Sequence, residues 1–104
     1  MQVYEMILEQ LGGIGKLKAM LGAKDFMYSS KDPNFIEFNF KGCDKANHIK
    51  IEYNEGKDLY DIAFYKIKKV NGLAQPEEVK AFTDVFTSEL KSTFRDYTGL
   101  ELSL

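Results

Sequence analysis

The chain is poor in the residues that build covalent and metal frameworks. It has one cysteine, Cys43, so no disulfide can close within it, and cysteine usage lends no support to secretion. It has one histidine, His48. A structural zinc takes about four nitrogen or sulfur ligands, which one Cys and one His cannot supply. No apolar run approaches the roughly 20 residues of a membrane span. The opening Met1-Gln2-Val3-Tyr4-Glu5-Met6 lacks the basic start of a secretory signal, so a cytoplasmic location is expected. Tryptophan is absent, and the aromatic content is six Tyr and eight Phe. Charge of either sign is scarcely in excess, at −2 overall. That leaves no overall basic field to draw in nucleic acid and gives little support to an acidic surface that would imitate one. Linkers, repeats and low-complexity stretches are also missing.

What is present reads as one folded domain over residues 1–104. Hydrophobic residues make up 44% and charged residues 29%, a globular balance. Val3, Ile7, Leu8 and Leu11 recur at helical spacing. Gly12 and Gly13 then mark a helix end or hinge, and a second stripe, Ile14, Leu17, Met20 and Leu21, runs to Gly22. Residues 25–29 read as a short strand, followed by turn chemistry from Ser29 to Asn34. Three clear alternations follow. Ile36, Phe38 and Phe40 oppose Glu37, Asn39 and Lys41. Ile49, Ile51 and Tyr53 oppose His48, Lys50 and Glu52. Tyr60, Ile62 and Phe64 oppose Asp61, Ala63 and Tyr65. Period two is the mark of half-buried strands. Asn54-Glu55-Gly56-Lys57 reads as a hairpin turn and residues 68–75 as a loop.

From Pro76 the spacing predicts a long helix. Pro suits the first helical position, Glu77 and Glu78 suit the positive end of the helix dipole, and Val79, Phe82, Val85 or Phe86, Leu90, Phe94 and Tyr97 form a stripe ended by Gly99. Residues 100–104 alternate and would pair at a sheet edge or simply pack. The expected fold is α+β: an antiparallel meander of three to four strands, with a broken N-terminal helix and a C-terminal helix on one face, in the order ααββββα. The other face would be mixed in charge and wet.

Chemistry is sparse. Gly12-Gly13-Ile14-Gly15-Lys16 has neither the preceding strand, the glycine spacing nor the Ser or Thr of a phosphate loop. His48 reads as a solvated strand histidine, and Cys43 as an incidental thiol, although His48 lies only five residues on. Asp58 and Asp61 tend to opposite faces of a strand. The best candidate binding surface is basic with one aromatic: Lys50, Tyr65, Lys66, Lys68 and Lys69. The competing reading is a solvated strand end guarded by lysines. No catalytic residue, metal ligand or cofactor is implied.

A resemblance runs through most of the chain. It rests on Ile7-Leu8-Glu9-Gln10-Leu11-Gly12-Gly13, Met20-Leu21-Gly22-Ala23-Lys24-Asp25-Phe26, Ile49-Lys50-Ile51, Lys57-Asp58-Leu59-Tyr60-Asp61-Ile62-Ala63-Phe64 and the ending Thr98-Gly99-Leu100-Glu101-Leu102-Ser103-Leu104. In pattern and order these resemble a family of small uncharacterised proteins encoded in bacteriophage and prophage regions. The resemblance implies an accessory protein of a virus or mobile element and transfers no catalytic or binding residue. The expectation is a non-enzymatic module that binds a host or phage protein, with homo-oligomerisation through a strand edge as a related form. A nucleic-acid-binding accessory protein is the alternative.

Overall fold

The alternations in the middle of the chain pair with one another in register. In the computed structural model, which describes residues 2–31 and 34–101, Ile36 lies opposite Ile51 and Ile51 opposite Ile62, while Phe38, Ile49 and Phe64 form the next row. All six are at most 1% exposed. The strands are β1 (Lys24–Ser29), β2 (Asn34–Asn39), β3 (His48–Asn54), β4 (Leu59–Val70) and β5 (Leu73–Val85), in one antiparallel sheet of order β1-β2-β3-β4-β5. The expected α+β meander is present, with five strands rather than three to four.

Helices α1 (Val3–Gln10), α2 (Ile14–Leu21) and α3 (Leu90–Thr98) cover one face. They place Ile7, Leu11, Leu17, Leu21, Leu90 and Phe94 in the same buried cluster as the sheet rows. Each large apolar side chain so buried stabilises the fold by about 1.5–3 kcal/mol. The break between α1 and α2 is a turn through Gly12 and Gly13, at φ 106° and 94°, a region that side chains with a Cβ rarely enter. No helix among the described residues is long and apolar enough to cross a membrane. Of the expected C-terminal pairing, residues 102–104 lie outside the described residues, and Leu100 packs against the core.

The long helix expected from Pro76 is the main correction. Residues from Leu73 to Val85 are β5, a short 3-10 turn follows at Thr87–Glu89, and helix resumes only with α3. Asn71 and Gly72 sit at φ 53° and 81°, the two-residue turn that folds one strand back on another. Residues 68–75, expected as a loop, therefore belong to both arms of a hairpin. The misleading spacing has a physical origin. β5 carries two irregularities: Tyr60 and Ile62 face Val85 and Phe82, and Phe64 and Tyr65 face Lys80 and Glu78. An extra residue in a strand moves the next inward position from two residues away to three, so Phe82 and Val85 imitate a helical stripe. Pro76 is tolerated because β5 is an edge strand.

Both edge strands are interrupted in the same way. β1 bulges between Lys24 and Met27 against β2. Asp25 there has φ 57°, and Asp84 in the β5 irregularity has φ 57° as well. Asp25 accepts from the Asn39 amide at 2.9 Å. Asp84 is held by Lys57 at 3.2 Å, and its N–H donates to Asp61 at 3.3 Å.

Candidate interaction surface

The sheet face away from the helices is built from the polar half of each alternation. Across it, Asn39, His48, Tyr65 and Glu78 form one row, and Glu37, Lys50, Ala63 and Ala81 the next. This face is half-buried rather than wet. The side chains of His48 and Glu37 are 14% and 20% exposed.

His48 is embedded in a network. Its Nδ1 lies 2.6 Å from Asn39 Oδ1, and Asn39 Nδ2 donates to Asp25 at 2.9 Å. With the amide nitrogen committed to a carboxylate, the amide oxygen faces the imidazole, and the network assigns the proton to Nδ1. Nε2 then faces Glu37 Oε2 at 3.4 Å, a contact that becomes an ion pair when the ring is charged. Tyr65 meets the ring edge-on at 5.7 Å. The solvated histidine expected from the sequence is corrected to one with three partners. Burial raises the Tyr65 phenol, and the nearby carboxylates Glu78, Glu37 and Glu52 raise it further, so Tyr65 remains neutral. A recess of about 300 Å³ is lined here by Glu37, His48, Lys50, Tyr65, Ile67 and Pro76. The cluster offers proton exchange without an adjoining nucleophile. Cys43 is half-buried against the helix-side core, on the other side of the sheet from His48. No group of three or more His, Cys, Asp or Glu among the described residues is arranged to hold a metal ion.

Beyond this face the β4–β5 hairpin continues alone. β3 pairs with β4 only as far as His48 opposite Tyr65, whereas β4 and β5 stay paired to Val70 opposite Leu73. Residues 66–70 and their partners thus form a two-stranded ribbon about 16 Å long at the usual rise per residue, tied at its root where Asn47 bonds Ile67. Its tip exposes apolar surface: Val70 is 43% and Leu73 68% exposed.

The five residues singled out in the sequence do not form one patch. Lys50 and Tyr65 lie on the open sheet face. Alternation puts Lys69 on that same side of the ribbon and Lys66 and Lys68 on the other, where Lys66 pairs across from Glu77 and Lys68 from Gln75. Lys50 Nζ sits 4.5 Å from the centre of the Phe35 ring. Sequence reasoning missed Lys24, which shares a recess with Lys41 and Lys69, and it missed the ribbon, whose signal was Asn71-Gly72. The glycine-rich Gly12–Lys16 segment is the turn after α1 and the first turn of α2, with Lys16 exposed. Comparison with protein-family models, curated proteins and solved structures returns no match.

Proposed function

We propose that this chain is a non-enzymatic, protein-binding accessory module of the phage or prophage kind, acting in the cytoplasm and gripping its partner with the β4–β5 ribbon. The observation that carries this reading is the ribbon itself. Its distal half contributes nothing to the core, yet it holds two apolar side chains at an exposed tip. Exposed apolar surface on a projection favours a complex that removes it from water. The half-buried sheet face beside the ribbon gives the partner a polar rim, as protein interfaces commonly have. The alternative, a nucleic-acid-binding accessory protein, draws on lysines that the ribbon divides between two sides, which weakens it.

The test is affinity capture from bacterial lysate, with and without nuclease, using the native chain and a Val70→Ser/Leu73→Ser variant. The expected result is a partner that survives nuclease and is lost with the variant. Partners retained by the variant count against the ribbon. Partners lost with nuclease shift the case to nucleic acid.

A further inference from the structure

At one end of the sheet three lysines that the sequence keeps far apart line the same recess. Lys24 opens β1, Lys41 follows β2, and Lys69 lies near the end of β4. They border one recess of about 290 Å³ whose apolar lining is Phe40, Ile67 and Ala74. Each lysine is held at its backbone. Lys24 pairs with Asn39 and Lys69 with Ala74, and Lys41 donates its N–H to Leu21 at 2.8 Å. The Lys41 stem is guided too, because it lies where a side chain on Gly22 would stand, 3.2 Å from an ideal Cβ.

Among the described residues none of the three lysines forms an ion pair. Asp25, next to Lys24 in sequence, is turned to the Asn39 amide. The Asn47 amide on the same recess is spent on Ile67. Three positive side chains bordering one recess favour an anion seated in it. Lys ammonium groups serve as point charges for phosphate. The recess sits at the small end of the range for ligand sites, which suits a group rather than a large molecule.

We propose that Lys24, Lys41 and Lys69 form a binding site for a phosphoryl oxyanion, carried either by a small phosphorylated molecule or by a nucleic-acid backbone. The site lies beside the ribbon tip, since the Lys69–Ala74 pair comes just before Val70–Leu73, but it rests on its own recess and not on what the tip binds.

The experiment is a titration of the ¹⁵N-labelled chain, at constant ionic strength, with inorganic pyrophosphate and separately with a short single-stranded DNA oligonucleotide. The comparison chains are Lys24→Gln/Lys41→Gln/Lys69→Gln and a control, Lys16→Gln/Lys18→Gln/Lys91→Gln. All three lysines of the site are exposed, so an unchanged spectrum of the free variant establishes that it folds. The expected result is saturable shifts at the amides of Lys24, Lys41, Lys69 and Ala74. Binding should weaken at least roughly tenfold, or about 1.4 kcal/mol, in the site variant and stay unchanged in the control. Saturation by pyrophosphate identifies the bare phosphoryl group as sufficient. Saturation by DNA alone, abolished in the site variant, identifies the nucleic-acid backbone as its carrier. Non-saturating shifts, or equal binding by both variants, overturn the proposal.

Discussion

The side-chain amide of Asn47 meets both main-chain groups of Ile67: its Oδ1 accepts the Ile67 N–H at 2.7 Å and its Nδ2 donates to the Ile67 carbonyl at 3.0 Å. Asn47 thereby continues the ladder one step past the end of β3, at the root of the ribbon. Replacing it with Ala leaves two half-buried main-chain groups to find water. The expected loss is about 1–3 kcal/mol, a fall of roughly 4–20 °C in Tm for a domain of this size. Hydrogen exchange at the Ile67 amide should accelerate more than at Ile62, which distinguishes loosening of the ribbon from global destabilisation.

The ribbon's turn depends on Gly72. A Cβ there meets nothing within 4 Å, so the only obstacle to a side chain is the φ of 81°. Gly72→Val should therefore cost about 1–2 kcal/mol, the penalty for a side chain in left-handed backbone, and Asn71→Gly should be close to neutral. Denaturation midpoints check both, and cross-strand contacts between Val70 and Leu73 seen by NMR report on the ribbon directly.

Asp58 holds the Tyr53 hydroxyl at 2.5 Å. That hydrogen bond, reinforced by burial and by the Asp58 charge, pushes Tyr53 up to about 12. An unfolded tyrosine ionises near 10. Between those values the folded chain keeps a proton that the unfolded chain has lost, so the contribution is complete below about pH 10 and disappears as pH rises through about 12. Asp58→Gly removes the acceptor and suits the φ of 54° at that position. Phenolate absorbance should then show one tyrosine titrating earlier. Tyr4 and Tyr65 are raised as well, but their titration should not respond to this variant.

His48 should populate the Nδ1–H tautomer when neutral, visible in its imidazole ¹⁵N shifts. Asn39→Leu removes the acceptor that selects this form. Loss of the tautomer preference with the sheet intact is the expected outcome, and an unchanged tautomer would assign the selection to another partner.

Phe94 is 1% exposed and touches the rings of Phe40 and Phe64. Phe94→Ala should cost about 3–5 kcal/mol, a large part of the 5–15 kcal/mol typical of a domain. Phe86, 60% exposed, should change stability by no more than about 0.5 kcal/mol on conversion to Ser. Urea denaturation separates the two.

These contrasts follow how far each part of the molecule was written locally. Ile36, Phe38, Ile49, Ile51, Ile62 and Phe64 were legible as core because each alternates within its own short segment. The break at Gly12-Gly13 and the stops at Gly22 and Gly99 were legible because glycine marks helix ends. The stretch from Pro76 to Phe86 misled because bulges in β5 give apolar residues the spacing of a helix, and Asn71-Gly72 was the local sign that outweighed it. The His48 network was hidden, since Asp25, Asn39 and Glu37 reach it only through sheet register. Lys24, Lys41 and Lys69 come together for the same reason, and no window of sequence contains all three.

The paired aspartates at the two bulges have a consequence for growth. A sheet whose outer strands were straight would offer a template on each side, and copies could add indefinitely in the plane. Here Asp25 and Asp84 put a kink in both borders, Pro76 removes a donor from one of them, and the kinks stand at positions where a newcomer's ladder must match spacing it cannot match. The width of the sheet is thus limited from within the chain. What remains open to a visitor is the broad face, the end with its three lysines and the point of the ribbon, which are the directions in which contact saturates instead of propagating.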